Sequence, residues 1–490
     1  MAIAGGNGES TFAISYADLR ARVEALAVAF QVLDPTPGSR VGICARNTTP
    51  HLTALLATYA AGKVWVPLSP RNGRAELDAM IAATRPSILV ADAYGLARIT
   101  PTAAALVRAS TTDGERDTID ALVAQYAGQG PERIERGDED AQIIKFSGGS
   151  TGTPKPVVQS VRCLNAQADG LREFFAFAAD DVNLIAAPLT HGASCFVLPL
   201  LEVGGCHVLV EEPKASVIFD AITRFGVTTM YAPPTLLYAL MGAHDEHEVA
   251  RPSFASLRHV IYSAAPMTAE RIRDCQRFFG PVIETAYGQV EAPQIISAMR
   301  ADELLLEENL TSVGRPSSVV TVATMNKEGT VLPPGEVGEI VVRGPLLMSG
   351  YIDRDEENAR AIVDGWLRTG DIGLIDSRGY LYIRGRLREM INSGGFKVFP
   401  GEVETALGRH PDIAECAVFG VPDAKWGEAV NAAVVVHSGA AVEPDALMAF
   451  VKAELGSVKA PKRIWFVDHL ERNAAGKVSR GGVRASLLGL

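Results

Sequence analysis

Short apolar segments alternate with helical stretches along the first half of the chain, and this alternation limits the folds open to it. Leu19, Val23, Leu26, Phe30 and Leu33 fall at helical spacing. Arg40-Val41-Gly42-Ile43-Cys44 then reads as a strand, residues 51–61 as a helix, Val64-Trp65-Val66-Pro67-Leu68 as a strand, residues 76–83 as a helix and Ser87-Ile88-Leu89-Val90-Ala91 as a strand. Ala141-Gln142-Ile143-Ile144-Lys145, Asn183-Leu184-Ile185-Ala186, Gly205-Cys206-His207-Val208-Leu209-Val210 and Thr228-Thr229-Met230-Tyr231 extend the series. Strands alternating with helices predict an α/β fold built on a largely parallel, doubly wound sheet. From residue 313 to 383 Gly, Pro and Asp punctuate shorter β-rich pieces such as Gly338-Glu339-Ile340-Val341-Val342-Arg343, which predicts a smaller, more antiparallel subdomain. A boundary near Arg384-Gly385-Arg386 divides a domain of residues 1–385 from a compact α+β unit of 386–490. Val398, Val403, Leu407, Ala417-Val418-Phe419 and residues 432–436 are the candidate core of that unit.

Composition narrows the function class. A net charge of −11 argues against a nucleic-acid partner, because phosphate backbones select basic surfaces. Cys44, Cys163, Cys195, Cys206, Cys275 and Cys416 are scattered without a C-x-x-C pair, so they read as buried thiols in a reducing cytoplasm. The start of the chain lacks a basic segment followed by an apolar one, so no signal peptide is expected. Residues 184–201 are the most apolar stretch, but two prolines and His191 interrupt it and no membrane span is expected.

Phe146-Ser147-Gly148-Gly149-Ser150-Thr151-Gly152-Thr153-Pro154-Lys155 places three glycines, four hydroxyls and a lysine in ten residues directly after a strand. Glycines let a backbone approach a phosphate, hydroxyls and N–H groups surround an anion, and a lysine adds charge. The spacing is not that of a Walker A loop, since Pro154 precedes the lysine and Pro156 follows it. Four clusters accompany the loop. Tyr287-Gly288-Gln289-Val290-Glu291, after a strand at 282–284, offers an aromatic face for a purine and a carboxylate for Mg2+. Trp366-Leu367-Arg368-Thr369-Gly370-Asp371 offers an aspartate, read as held on a tight turn, for a ribose diol. Gly385-Arg386-Leu387-Arg388-Glu389, continuing into Ser393-Gly394-Gly395-Phe396-Lys397, surrounds a glycine turn with basic residues at the predicted domain junction. Arg472-Asn473-Ala474-Ala475-Gly476-Lys477 places a lysine on a glycine turn near the end of the chain.

In this order the five motifs resemble those of the adenylate-forming superfamily: acyl-CoA synthetases, peptide-synthetase adenylation domains and firefly-type luciferases. The chain looks most like a bacterial acid:CoA ligase. The resemblance runs from Tyr16 to Arg480. It implies a large N-terminal domain of two αβ subdomains plus a β subdomain, hinged to a small mobile C-terminal domain. It implies that Ser147, Gly148, Gly149, Ser150, Thr151, Gly152 and Lys155 hold ATP phosphates. Ser263, Ala264, Ala265, Pro266 and Tyr287 would enclose adenine, with Gly288 and Gln289 beside them. Glu291 resembles the Mg2+ ligand, Asp371 and Arg386 the ribose contacts, Lys397 a phosphate contact, Arg388 the hinge, and Lys477 the lysine that bridges carboxylate and α-phosphate. Ser393, Gly394, Gly395 and Phe396 resemble the segment along a pantetheine channel. Departures are Gly148 for a serine, Pro156 for a glycine, Val161 for a histidine, Val290 for a threonine and Arg388 for an aspartate or lysine.

The acid pocket is expected from His191, Gly192, Ala193, Ser194 and Cys195, with Tyr231, Ala292 and Pro293. His191 either gates that pocket or is a core histidine bound to a hydroxyl. No charged residue stands out as waiting for an amino group or second carboxylate, so an apolar or aromatic acid is expected. His244-Asp245-Glu246-His247-Glu248 reads as a solvated face rather than a metal site. The expected function is ATP-dependent formation of acyl-AMP followed by transfer to CoA, in the cytoplasm, with a homodimer one expectation for assembly. The alternatives are transfer to an amine or to a free-standing carrier protein, since no carrier segment follows Arg480, and a non-catalytic nucleotide-binding module.

Overall fold

A computed structural model describes residues 1–7, 10–109, 117–147, 154–245, 249, 251–437, 439–472 and 478–489. Among the described residues four sheets form. The first has nine strands in the order Arg315–Pro316, Ser297–Met299, Ile283–Tyr287, His259–Tyr262, Thr229–Ala232, Val182–Ile185, Cys206–Leu209, Ile3–Asn7 and Ser10–Ile14. The second has seven, in the order Gly350–Tyr351, Lys155–Ser160, Ala141–Ser147, Val64–Pro67, Arg40–Cys44, Ile88–Ala91 and Ala105–Arg108. Their central strands are parallel, as the alternation with helices predicts, and antiparallel strands occupy both edges of the first sheet and one edge of the second, whose other edge, Ala105–Arg108, is parallel. One buried cluster joins the two sheets. It runs from Val41, Ile43 and Trp65 through Leu26, Phe30, Leu52 and Phe175 of the intervening helices to Ile185, Tyr231 and Ile261. Those helices are Tyr16–Leu33, which Ser15 caps by accepting from the Asp18 N–H, Thr49–Ala60 and Val161–Phe175.

A third sheet of short antiparallel pairings carries Thr321–Met325, Gly338–Arg343, Trp366–Ile375, Ile362–Val363 and Leu381–Arg386. After Arg386 a 3-10 turn, Leu387–Glu389, leads into a fourth sheet of Phe396–Val398, Ile391–Ser393, Gly427–Val436, Ile413–Asp423 and Arg463–Phe466. Its own core includes Val398, Val403, Leu407, Val418, Ala432 and Val434, all fully buried.

Two expectations about these elements need correction. Asp371 is not on a tight turn. It lies inside the ten-residue strand Trp366–Ile375, opposite Arg386. Gly370, at φ 71°, gives the local twist that resembles a turn in sequence. Tyr287 is the last residue of its strand rather than a residue beyond it. The strands Ile3–Asn7 and Ser10–Ile14 were not foreseen. In the fold the Phe12 ring of the neighbouring strand lies over Gly5, where an added Cβ would sit 2.6 Å from it.

All six cysteines are free, with Cys206 and Cys416 only partly buried. Among the described residues no helix is long and apolar enough to cross a membrane. Glu246, His247 and Glu248 of the acidic-histidine run lie outside the described residues. His244 hydrogen-bonds the Val249 carbonyl at 3.3 Å and packs on the Phe278 ring, so its side chain is not a solvated face.

Candidate active site

The carboxyl ends of the strands are the usual place for a ligand in an open α/β sheet, and here the two sheets meet at such ends, where Asn47 Nδ2 donates to the Ile185 and Ala187 carbonyls at 3.3 and 2.9 Å. From one sheet comes the hairpin of Ala141–Ser147 and Lys155–Ser160, paired through Ser147 opposite Lys155. The strand after the loop was not foreseen, and the loop it closes (Gly148, Gly149, Ser150, Thr151, Gly152 and Thr153) lies outside the described residues. From the other sheet comes the end of Ile283–Tyr287 and the tight turn that follows it. There the Gln289 N–H donates to the Ala292 carbonyl at 2.8 Å. A Cβ on Gly288 would lie 2.7 Å from the backbone nitrogen of Gln294, so only glycine lets the chain fold back this closely. That turn buries Ala292 and Pro293 and leaves Glu291 half-buried at its rim.

Two side-chain nodes tie these pieces together. At the first, the Tyr351 hydroxyl donates to Glu291 Oε1 at 3.0 Å. Burial, and then the Glu291 charge, push the Tyr351 hydroxyl well above its ordinary pKa. Lys155 lies 5.4 Å from the centre of the Tyr351 ring and forms an ion pair with Glu357, which holds the Glu357 carboxyl below its ordinary range. Tyr351 reaches this place because Gly350–Tyr351 pairs with Lys155–Ser160. Neither Tyr351 nor Glu357 is marked in the sequence, since the crossing of a two-residue strand from a distant segment leaves no periodic signal.

At the second node Asp371, 3% exposed, gathers three side chains. Its Oδ2 accepts from the Tyr287 hydroxyl and from Gln289 Nε2, each at 2.6 Å, and Arg386 Nε lies 3.1 Å from Oδ1. Burial and the Asp371 charge raise the Tyr287 hydroxyl far above its ordinary pKa, so it remains a donor. Gln289 also donates to the Thr369 carbonyl at 3.1 Å. Of the adenine segment, Ser263 is buried and Ala264 is exposed. Ala264 adopts φ 78°, a left-handed conformation rare for a residue with a Cβ and typical of ligand-facing loops.

A third group lies deeper. His191 Nδ1 sits 2.9 Å from the Thr190 hydroxyl, and His191 heads a 3-10 turn, Gly192–Phe196. Ala193 and Cys195 are buried in that turn, Ser194 Oγ donates to the His191 carbonyl at 2.8 Å, and Tyr231 stacks on Phe196 at 5.4 Å. A Cβ on Gly192 would lie 2.4 Å from the Tyr231 hydroxyl, so that tyrosine closes over the glycine. Lys145 enters here, 8% exposed, with Nζ 3.0 Å from Ser194 Oγ and 3.4 Å from the His191 carbonyl. The sequence reading that no charged residue faces this region is therefore wrong. Lys145 looks like the polar end of a strand, and only the packing of the two sheets turns it inward.

Beyond Arg386, Arg388 is exposed in its turn. Glu389 forms an ion pair with Arg480, which is also held by Glu404 at 2.6 Å. Gly394 and Gly395, at φ 61° and 85°, make the two-residue turn between Ile391–Ser393 and Phe396–Val398, the backbone that a type I′ hairpin requires. Ser393 is buried, while Phe396 and Lys397 are exposed at the tip. Lys477 lies outside the described residues.

Comparison with known proteins decides the family. The AMP-binding enzyme family matches residues 2–352, and the AMP-binding enzyme C-terminal domain matches 402–477. This chain belongs to the AMP-binding enzymes. A feruloyl-CoA synthase from Amycolatopsis sp is 34% identical over 477 residues, which is 96% of this chain and 94% of the relative. The medium/long-chain-fatty-acid–CoA ligase FadD8 of Mycobacterium tuberculosis is 32% identical over 483 residues, 95% of this chain and 84% of the relative. Among solved structures, the amide bond synthetase McbA from Marinactinospora thermotolerans superposes with a TM-score of 0.89 at 32% identity, covering 99% of this chain and 96% of the other.

In this AMP-binding enzyme the position expected to carry a threonine holds Val290, which packs against the buried cluster that includes Tyr287, Ala292 and Ile340 and whose carbonyl accepts from Gln159 at 2.8 Å. Val161 is the first residue of its helix. Pro156 sits in a strand opposite Phe146, and its carbonyl accepts the Ile352 N–H at 3.0 Å.

Proposed function

We propose that this AMP-binding enzyme activates an apolar or aromatic carboxylic acid as its acyl-AMP, releasing pyrophosphate, and then passes the acyl group to the thiol of CoA. The observation that carries this reading is the continuity of the cleft. Lys155, Tyr351 and Glu291 at one end connect through one short turn to Tyr287, Gln289, Asp371 and Arg386 at the other. A nucleotide laid along it has its triphosphate beside Ser147 and Lys155 and its ribose hydroxyls on Asp371 and Arg386. Its base lies between Tyr287 and the segment Ser263 to Pro266, and its α-phosphate faces the pocket headed by His191.

In the first step a carboxylate oxygen attacks the α-phosphorus and the bond to pyrophosphate breaks. Two anions must meet, so the barrier is one of charge and alignment. Lys477 would hold the acid against the α-phosphate and stabilise the charge that builds on it, while the loop from Ser147 to Lys155 holds the departing phosphates. Glu291 offers a carboxylate, half-buried at the rim of its turn. That fits Mg2+, which takes one or two carboxylates together with substrate phosphates. Mg2+ bound there would neutralise phosphate charge. In the second step the thiol sulfur attacks the acyl carbon, the bond from that carbon to the phosphoryl oxygen breaks, and AMP leaves.

The two steps need different partners beside one site, which is where the proposed hinge enters. Arg386 is held by Asp371 on the N-terminal side and Glu389 by Arg480 on the C-terminal side, so Arg388 falls between the two anchors. Residues 1–385 and 386–490 would turn about it, bringing Lys477 or the Ser393-Gly394-Gly395-Phe396 hairpin to the cleft in turn. Lys397 would contact phosphate in one of these arrangements.

A second reading is kept because McbA is named an amide bond synthetase: the same adenylation with an amine as acceptor. Offering CoA, simple amines and hydroxylamine with ATP and a panel of acids, with products identified by mass, separates the two. A thioester as the main product is expected. An amide formed faster than the thioester would move the assignment to the second reading.

A further inference from the structure

We propose that Lys145 is a specificity-determining residue that takes a hydrogen-bond-accepting oxygen at the far end of the acid, such as a phenolic or carboxylate oxygen. This rests on the acid-activating function proposed above and deepens it. A buried cation is costly unless something pairs with it. Lys145 is 92% buried by difference from its 8% exposure, and its partners are neutral: Ser194 Oγ at 3.0 Å, the His191 carbonyl at 3.4 Å and the face of Trp65, whose ring centre lies 5.5 Å away. Among the described residues no carboxylate forms an ion pair with it.

A second donor waits beside it. The indole N–H of Trp65 is buried with no acceptor among the described residues. Both side chains line one internal cavity together with Tyr59, Gln167, Ser194 and Cys195. Ser194 and Cys195 belong to the turn that His191 heads, so the cavity adjoins the proposed acid pocket through these two residues. Its remaining lining is largely apolar, including Leu55, Ile143 and Leu164. The cavity measures about 10 Å³, room for one water-sized group, so beside a buried lysine with only neutral partners and an indole N–H without an acceptor it takes the single oxygen at the tip of an acid whose apolar length lies outside it. A site built to bond an oxygen discriminates against the analogue lacking it, because its own donors are then left unpaired.

The test uses matched acids that differ only at the tip: cinnamate against para-hydroxycinnamate, and a straight-chain monoacid against the diacid of the same length. The readout is kcat/KM for acid-dependent AMP formation by the full chain. The wild type is expected to favour the oxygenated member of at least one pair by about tenfold or more, and Lys145→Met to lower that ratio by about tenfold or more. Lys145→Gln, which keeps a donor of similar reach, is the second variant and should retain part of the preference. A wild type that treats both members of each pair alike, as when water alone fills the cavity, overturns the proposal. So does a ratio unchanged in either variant. Absence of AMP with every acid would instead fail the parent reading of an acid-activating enzyme.

Discussion

Lys477→Ala is expected to slow acyl-AMP formation by about 10²–10³-fold, the usual consequence of removing one preorganised group that stabilises transition-state charge. The reason is chemical. The attacking carboxylate and the triphosphate repel each other, and Asp371, Glu291 and Glu357 add negative charge along the cleft, whereas Lys155 and Arg386 are already paired with Glu357 and Asp371. A cation between acid and α-phosphate, in addition to Mg2+ on the phosphates, would lower that barrier, and this is the role proposed for Lys477. Single-turnover measurement of pyrophosphate release under saturating ATP and acid reads this step directly. Formation of thioester from supplied acyl-AMP should fall far less, because the cation is needed when the anhydride is made and not when it is broken. Equal losses in both half-reactions would remove Lys477 from the role proposed for it.

Asp371→Ala should be the most damaging change in the nucleotide end of the cleft, for folding as well as for binding. The carboxylate is buried, accepts from Tyr287 and Gln289, and forms an ion pair with Arg386. Truncating it leaves the buried Tyr287 hydroxyl without its acceptor, the half-buried Gln289 with only the Thr369 carbonyl, and Arg386 with one partner fewer. Hydrogen bonds to a charged group contribute roughly 1.5–3 kcal/mol each, and the half-exposed Arg386 recovers part of its loss from water. A loss of about 2–4 kcal/mol in unfolding free energy is expected, together with a KM for ATP raised about tenfold or more, since the ribose diol loses its acceptor. Denaturant unfolding and ATP-dependent kinetics measure the two effects separately. A variant with parental KM for ATP would show that the ribose lies elsewhere.

How much of this was legible in sequence divides along physical lines. The strands at Arg40–Cys44, Val64–Pro67 and Ile88–Ala91 and the helices between them were readable because burial writes itself into short apolar runs and helical spacing. The motif residues Tyr287, Glu291, Asp371 and Arg386 were readable as chemistry, though not their mutual contacts, which depend on strand pairings between distant segments. Asp371 was misplaced on a turn because glycine before aspartate signals a turn far more often than a twisted strand. Tyr351, Glu357 and Lys145 were not found. Each is an ordinary polar or aromatic residue in sequence and acquires its place only when a short strand crosses between sheets or two sheets pack. The strand through Gly5-Gly6-Asn7 was missed because glycine and asparagine are poor strand residues, and it is the Phe12 ring over Gly5 that fills the space a side chain would take.

The central claim is that a carboxylate oxygen of the substrate acid forms a bond to the α-phosphorus of ATP. It is tested most directly by supplying an acid whose carboxylate carries isotopically heavy oxygen, together with ATP, Mg2+ and CoA, and analysing the nucleotide product by mass. The account predicts AMP bearing one heavy oxygen, because the oxygen that joined phosphorus leaves with it when the thiol takes the acyl carbon. AMP without the label, or label recovered in inorganic phosphate alongside ADP, would contradict it.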